Sequence, residues 1–194
     1  GARDLTTYDG SGAATDLWAG AGTYTYGTST LVMTGSSKKI NISNNMVMNA
    51  LTINGTILIN DISGLGRYLE PQDTFTVGGS GTLGSTGSEY LIFDNSYTGG
   101  AGQSKALVIG NSANALANLY KIRLAATAGT LEIPTCTIPR IANTDSAGRI
   151  TAQGNWTITT DLNIASGAIV NSDGYNITTK TVTNAGTLNI EKES

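Results

Sequence analysis

The residues of this sequence that could carry out acid–base chemistry are aspartates a few positions before arginines, Asp61 before Arg67 and Asp145 before Arg149. Such groups suffice in some enzymes that cleave polysaccharides. Both pairs stand among turn-forming residues, where an aspartate usually accepts hydrogen bonds from its own backbone. The chain contains no histidine, which excludes Ser-His-Asp and Cys-His mechanisms and nearly all zinc and copper sites. We therefore expect no catalytic residue and no enzyme, with a polysaccharide lyase or hydrolase as the weakest alternative.

Two polar turns carry the oxygen ligands that calcium prefers, at residues 94–96 (Asp-Asn-Ser) and 171–174 (Asn-Ser-Asp-Gly). Neither matches an EF-hand or a repeat-in-toxin loop, so both are predicted to be plain turns, with calcium kept as an alternative. The glycine-rich stretches 78–81 and 99–102 lack the Lys-Ser/Thr ending of a phosphate-binding loop. The sequence therefore predicts no cofactor.

Two further groups of residues point to carbohydrate. Four Asn-X-Ser/Thr sequons are candidates for N-linked glycans. They begin at Asn41, Asn54, Asn155 and Asn176. Near the N-terminus, Trp18, Tyr24 and Tyr26 could form a platform on which sugars stack, since Tyr24 and Tyr26 fall on one face of a strand. An aromatic core or a subunit interface is the alternative use of these three side chains.

Composition limits the partners and the location. The net charge is −3 and charged residues make up 13% of the chain, which leaves no basic surface for nucleic acid. No apolar run approaches the roughly 20 residues that span a bilayer. The single Cys136 is expected to be buried and inert. Because the sequence begins at Gly1 with no charged-then-apolar leader, we expect a secreted protein whose signal segment has been removed, located outside the cell or on its surface.

Short runs of β-branched and aromatic residues, often alternating with polar ones, dominate the chain and predict an all-β fold. Clear examples are Lys39–Ser43, Leu51–Ile53, Ile57–Ile59, Thr74–Val77, Tyr90–Phe93, Trp156–Thr159 and, near the N-terminus, Thr23–Tyr26. The stretch 112–120 has enough alanine and leucine for a short helix. It is the one window in which the sequence predicts helix.

A short phrase recurs along the chain, in which glycine is followed by threonine or alanine and then by an apolar residue. It begins at Gly55, Gly81, Gly129, Gly167 and Gly186, at successive distances of 26, 48, 38 and 19 residues. These distances divide into units of about 19 to 26 residues, which is the period of a repeat architecture. Such a unit cannot bury its apolar residues alone, but it can stack on its neighbour at about 4.8 Å and pair its backbone there.

The segments Asp161–Val170, Asn176–Ile177 and Thr183–Ile190 resemble the repeats of right-handed parallel β-helix proteins, which are common in adhesins and autotransporter passenger domains. The resemblance is strongest over residues 150–194, and it implies a β-solenoid with turns of about 19 to 26 residues. The alternative is a β-sandwich or jelly roll with a donated strand. We expect one domain over residues 1–194, with an assembly strand at 1–12, a solenoid body at 13–190 and a tail at 191–194.

An open-ended solenoid presents unpaired backbone groups at each end, to which another chain can add a strand. We expect contacts at Leu5, Thr6, Thr7 and Tyr8 at one end, and at Leu188, Asn189 and Ile190 at the other. Head-to-tail contact between unlike surfaces propagates as a filament. The sequence thus predicts an extracellular structural protein that polymerises with copies of itself in adhesion or surface architecture. The alternative is a carbohydrate- or surface-binding module of an appendage or phage tail.

Overall fold

The computed structural model describes the backbone of residues 5–7, 16–20, 27–110 and 113–190, and the side chains of 27–110 and 113–190. Nineteen strands and one short helix form this part of the chain. The strands of the first half are β1 (Leu5–Thr7), β2 (Asp16–Gly20), β3 (Thr30–Met33), β4 (Lys38–Ile42), β5 (Met46–Ile53), β6 (Thr56–Asp61), β7 (Tyr68–Val77), β8 (Thr82–Ser85) and β9 (Tyr90–Phe93). After helix α1 (Asn95–Thr98) come β10 (Ser104–Ala106), β11 (Val108–Ile109), β12 (Ile122–Leu124), β13 (Thr130–Ile133), β14 (Cys136–Asn143), β15 (Arg149–Ala152), β16 (Trp156–Ile164), β17 (Ile169–Asn171), β18 (Ile177–Asn184) and β19 (Thr187–Asn189).

The strands coil into a parallel β-solenoid of about eight turns. A long sheet has the order β1-β3-β5-β7-β9-β12-β14-β16-β18, with β11 joined to β7. The other two sheets have the orders β2-β4-β6-β8 and β10-β13-β15-β17-β19. Every strand pairing among the described residues is parallel, which confirms the predicted solenoid and excludes the antiparallel sandwich.

Residues at one register position on successive turns form ladders along the solenoid axis. One inward ladder is entirely apolar and runs through Met46, Leu69, Leu91, Ile122, Ile141, Leu162 and Val182. All of its members before Val182 are at most 5% exposed. Because side chains alternate across a strand, each turn sends every second residue into this core. One contiguous apolar cluster therefore runs the length of the described solenoid and includes Cys136, whose thiol is 1% exposed, as predicted.

The recurring glycine phrase marks corners where successive turns touch. A Cβ atom on Gly55 would lie 1.9 Å from the carbonyl oxygen of Gly35 on the turn before it. A Cβ on Gly186 would lie 2.3 Å from the oxygen of Ala165. No side chain fits at such distances, so a glycine is required wherever the corner is this tight. The glycine repeat in the sequence is thus a consequence of the close stacking of successive turns.

Polar side chains form ladders in the same way. Asn60 Nδ2 donates to Asn41 Oδ1 at 2.6 Å, and Thr86 Oγ1 donates to Asn60 Oδ1 at 2.7 Å. Inside the solenoid, the fully buried Asn143 donates to the carbonyl oxygens of Gly148 at 2.7 Å and Ile169 at 3.0 Å. Since Ile169 belongs to the next turn, this side chain ties two turns together.

One turn differs from the others. Leu91 lies opposite Ile122, a separation of 31 residues, whereas Ile122 and Ile141 are separated by 19. The extra length contains α1, whose Tyr97 packs edge-on against Phe93 at 4.6 Å between ring centroids. The helix predicted over 112–120 is wrong, because residues 113–118 form turns whose carbonyl oxygens accept from β8. Sheet pairing there outweighs the helix propensity of alanine and leucine.

In the part of the chain that the structure describes, no helix is long and apolar enough to cross a membrane.

Candidate functional site

Two surfaces of the solenoid stand out as sites of interaction, and the first is its C-terminal end. Strand β18 pairs with β16 and strand β19 pairs with β17, and neither has a partner on its other side among the described residues. Half of the backbone groups of an edge strand point away from its neighbour. The last described turn therefore presents two free strand edges at one end of the molecule.

The inward side chains of this last turn are open as well. Val182 stacks on Leu162, yet Val182 is 46% exposed whereas Leu162 is fully buried. Leu188 stacks on the fully buried Val170 and is itself half-buried. An apolar patch bordered by free strand edges is the surface that a further turn covers elsewhere in this solenoid. The end can therefore accept another strand layer.

The residues predicted for assembly fall on the first strand of the long sheet and on the last strand of the sheet that ends in β19. Leu5, Thr6 and Thr7 form β1, which pairs with β3 and is the first strand of that sheet; their side chains and all of Tyr8 are outside the described residues. At the other end, Leu188 and Asn189 belong to β19, where Asn189 Nδ2 donates to Asn171 Oδ1 at 2.8 Å. Ile190 is 73% exposed.

The second surface is an outward face of the long sheet, which we call the tyrosine–cation face. It consists of Tyr68, Tyr90, Tyr120, Lys121, Arg123 and Arg140. Tyr68 is opposite Tyr90. Leu91 pairs with Ile122, and Ile122 pairs with Ile141. The residues that precede these three therefore lie in one ladder. That ladder runs Tyr68, Tyr90, Lys121, Arg140. All six side chains are half-buried.

The aromatic rings and the cations of this face are in direct contact. Lys121 Nζ lies 4.2 Å from the ring centroid of Tyr90 and 5.7 Å from that of Tyr120. The guanidinium carbon of Arg140 lies 4.4 Å from the Tyr120 centroid. The rings of Tyr68 and Tyr90 are in contact at 5.4 Å between centroids, with their planes tilted by 44°. Contacts of this kind hold the cations in place by cation–π attraction.

The electrostatics of the face are set by crowding of like charges. Burial lowers the pKa of Lys121, and the nearby guanidinium groups of Arg123 and Arg140 lower it further. Burial likewise raises the pKa of Glu70 at the edge of the face, with a further contribution from Asp94. No carboxylate of the described residues forms an ion pair with Lys121, Arg123 or Arg140. The face is therefore a local positive site on a protein of net negative charge.

The aromatic platform predicted from the sequence was a different one. The side chain of Trp18 and all of Tyr24 and Tyr26 lie outside the described residues, so that platform stays a prediction. The tyrosine–cation face was missed, because its ladder members are 22, 31 and 19 residues apart in the chain. Residues at such separations can be recognised as members of one ladder only when the register of the strands is known. The Tyr120-Lys121 pair was the one local signal.

The four predicted glycosylation sites differ in accessibility. Asn54, Asn155 and Asn176 are exposed, and the last two occupy the same corner of successive turns, where Asn176 N donates to Asn155 Oδ1 at 3.0 Å. Asn41 is 8% exposed, and its amide is engaged in the ladder with Asn60. Three of the four sequons therefore present their side chains to solvent.

The acidic residues considered for chemistry organise turns. Asp61 accepts hydrogen bonds from the backbone N–H groups of Ser63, Leu65 and Arg67 at 2.8, 2.7 and 3.2 Å. Burial by itself would raise the pKa of Asp61, but these bonds and that from the Ser63 hydroxyl outweigh it and lower the pKa. The Asp145 carbonyl oxygen accepts from Gly148 N, and Arg149 begins β15.

The turns considered for calcium show similar engagement. Asp94 caps helix α1 by accepting from the backbone N–H groups of Ser96 and Tyr97. In the other turn, Asp173 adopts a left-handed backbone conformation with φ of 48°, and Asn171 accepts from Asn189. No three Cys, Asp or Glu side chains cluster as metal ligands within the described part of the chain. Calcium binding stays a prediction.

The described residues form a parallel β-solenoid whose last described turn has no strand partner on its outer side, and whose long sheet carries a positively charged aromatic face. No protein-family model, no curated protein and no solved structure matches the chain. The functional argument therefore depends on the geometry of the chain itself.

Proposed function

We propose that this protein is an extracellular structural subunit that stacks end to end with copies of itself, forming a filament or surface layer. The observation that carries the proposal is the last described turn. There, β18 and β19 each pair on one side only, while Val182 remains 46% exposed at a core position. Covering this turn with another copy would pair the free strand edges and bury the open apolar positions.

The two ends of the long sheet suit a head-to-tail arrangement. Its first strand is β1 and its last is β18, so stacking brings the edge strand at one end of a copy against the edge strand at the other end of the next. Because the two surfaces differ, the contact is heterologous and repeats without closing. Parallel pairing at about 4.8 Å would then continue from one subunit into the next.

Electron microscopy of the purified chain over a concentration series tests this proposal, together with sedimentation velocity. The wild-type protein is expected to form filaments as its concentration rises. Val182→Lys places a charge in the apolar end surface and should leave monomers, whereas Thr183→Lys adds the same charge on the outward face of the same strand and should still assemble. A wild-type protein that stays monomeric at the highest concentration, or equal assembly of both variants, would contradict the proposal.

Surface glycans are the second partner that we propose, with the protein acting as a non-catalytic binding module. The tyrosine–cation face favours this function, since half-buried tyrosines and cations with no carboxylate partner among the described residues gather on one side of the solenoid. The two functions use different surfaces, so an assembled filament could present one such face for each subunit. Binding of a glycan array by the wild-type protein, lost on substitution within the face, tests this function.

A further inference from the structure

We propose that the tyrosine–cation face binds an acidic polysaccharide through its carboxylate or sulfate groups, with the polymer lying along the solenoid axis. This inference rests on glycan binding, the second of the proposed functions, and specifies the chemistry of the ligand. It starts from three cations whose placement the fold itself does not require. Lys121, Arg123 and Arg140 all point outward from strands or strand ends whose inward residues form the core.

The three cations lie close enough together to bind anionic groups that are closely spaced. Lys121 and Arg140 occupy one ladder on adjacent turns, which places their backbones about 4.8 Å apart. Arg123 is two residues from Lys121 on the same turn and stands opposite Ala142 in the neighbouring ladder. Ala142 is the residue opposite Arg123 on the following turn. Because its side chain is small, no large side chain separates the three positive groups there. One carboxylate or sulfate group can therefore contact more than one cation.

The tyrosines fix the cations and leave hydroxyl groups for recognition. Tyr90 is covered on its ring by Tyr68 and Lys121, so its flat face is not free to stack on a sugar. The phenol groups of Tyr90 and Tyr120 have no hydrogen-bond partner among the described residues. Arg123 uses Nε to donate to Thr144 Oγ1 at 2.9 Å, which leaves its two Nη groups for a ligand. The face thus offers hydrogen-bond donors held in fixed positions.

A bound anion would relieve the repulsion within the face. Like charges at this separation disfavour one another, and partial burial weakens the screening by water. Burial is the main cause of the lowered pKa of Lys121, and repulsion by Arg123 and Arg140 lowers it further. Among the described residues no carboxylate forms an ion pair with these groups, although Asp161 stands opposite Arg140 on the next turn, so an external anion would add counter-charge to the face. Its binding energy would come from charge-assisted hydrogen bonds to preorganised cations.

The flanks of the face favour a polysaccharide over a nucleic acid. Asp161 stands opposite Arg140 on the next turn. In the ladder that contains Arg123, Glu70 lies two turns earlier, with Ile92 on the turn between them. Carboxylates repel polyanions of either kind, but they accept hydrogen bonds from the hydroxyl groups that a polysaccharide carries along its length and single-stranded DNA does not. A stripe of positive charge bounded by acceptors therefore suits a polymer that carries hydroxyl groups beside its anionic groups.

Equilibrium binding of the full chain to four labelled polymers tests the inference: polygalacturonate, dextran sulfate, neutral dextran and single-stranded DNA of similar length. The test variant is Lys121→Gln with Arg140→Gln. The matched control is Lys39→Gln with Lys180→Gln, which removes the same charge from residues outside the face. We expect acid-polymer binding that weakens with salt, a loss of about tenfold for each cation removed from the face, and a change of no more than about twofold in the control.

Each outcome has a defined meaning. Binding of polygalacturonate or dextran sulfate that depends on the face supports the inference, and the preferred polymer identifies carboxylate or sulfate as the bound group. Equal binding of neutral dextran would overturn the acidic specificity while leaving glycan binding in place, and no binding of any saccharide would overturn both. DNA binding as tight as that of the acidic saccharides would overturn the choice of polysaccharide. Should the double variant unfold, as judged by circular dichroism, Arg123→Gln and Tyr90→Phe provide the same comparison singly.

Discussion

Strands β16 and β18 occupy the same register on successive turns, but their inward residues differ sharply in exposure. Trp156 and Leu162 of β16 are 1% and 0% exposed, while Val182 of β18 is 46% exposed. Both strands are built from alternating residues and both pair in parallel with the strand before them. The difference is that β16 is covered by a following turn, whereas no following turn covers β18 among the residues that the structure describes. In a solenoid, burial is thus set by the neighbouring turn as much as by the sequence of the turn itself.

The same contrast appears in the other sheet, where Val170 of β17 is fully buried and Leu188 of β19 is half-buried. It indicates that the last described turn keeps the residue pattern of an inner turn and lacks only its cover. The proposed end-to-end stacking depends on this contrast. The following predictions test the contrast, from the largest effect to the smallest.

The largest effect is expected from a pair of truncations within one apolar ladder. Leu162→Ala leaves a cavity between two covered turns and should lower the free energy of unfolding by about 3 kcal/mol. Val182→Ala removes a side chain that is already half in water and should cost less than about 1 kcal/mol for the monomer. Urea denaturation at low protein concentration measures both. Equal losses would show that the last turn is as well packed as the inner ones.

A polar pair gives a smaller contrast. Asn143→Ala removes the two interior hydrogen bonds that the side chain donates to the carbonyl oxygens of Gly148 and Ile169, which should cost about 2 kcal/mol. Asn184 occupies the same inward ladder two turns later but is exposed and bonds locally to Gly186 N. Asn184→Ala should therefore cost under about 1 kcal/mol. A loss for Asn184→Ala as large as that for Asn143→Ala would argue against an uncovered end.

The corner at Asp61 should contribute a pH-dependent term to the stability of the inner turns. Its pKa in the folded protein lies below the ordinary aspartate value of 3.8, so the unfolded chain binds the proton more tightly. The stabilisation is then present above about pH 4 and disappears as the pH falls through the folded pKa. The melting temperature of the wild-type protein should exceed that of Asp61→Asn at pH 6, with the gap narrowing towards pH 2. A constant gap would contradict this origin.

Glycosylation should have the smallest effect on stability. The set of asparagines that carry glycans should distinguish sequons at exposed corners from the sequon in a buried ladder. In a glycosylating secretory host, peptide mass spectrometry should find glycans at Asn54, Asn155 and Asn176, which are exposed, and none at Asn41. At Asn155 the bond from Asn176 N uses Oδ1, so a sugar on Nδ2 leaves that bond intact. Occupancy of Asn41 would mean that its ladder opens during folding.

Much of the fold could be predicted from the sequence because the stacking itself leaves a periodic trace. Tight corners such as those at Gly55 and Gly186 admit no side chain, so glycine recurs once per turn or at multiples of it. Parallel pairing requires alternating apolar residues, which are visible in Lys39–Ser43 and Trp156–Thr159. The long turn could not be predicted, because the segment around α1 has no period and packs through the tertiary contacts of Tyr97.

The candidate surfaces were predicted unevenly for a related reason. Leu188 and Ile190 were identified because the repeat pattern of the sequence continues to these residues. In the structure, both lie in or directly after the last strand, where apolar surface is exposed. The tyrosine–cation face was not identified, since a ladder joins residues whose chain separation depends on the length of every intervening loop. Tyr90 and Lys121 become neighbours only through the 31-residue turn.

Hydrogen–deuterium exchange at a series of protein concentrations tests the central claim most directly, because it reports on the strand edges themselves. The account predicts that amides of β16 are protected at every concentration, while those of β18 and β19 become protected only as the concentration rises. In Val182→Lys they should stay unprotected throughout. Protection of β18 and β19 that does not change with concentration would contradict stacking through the last turn.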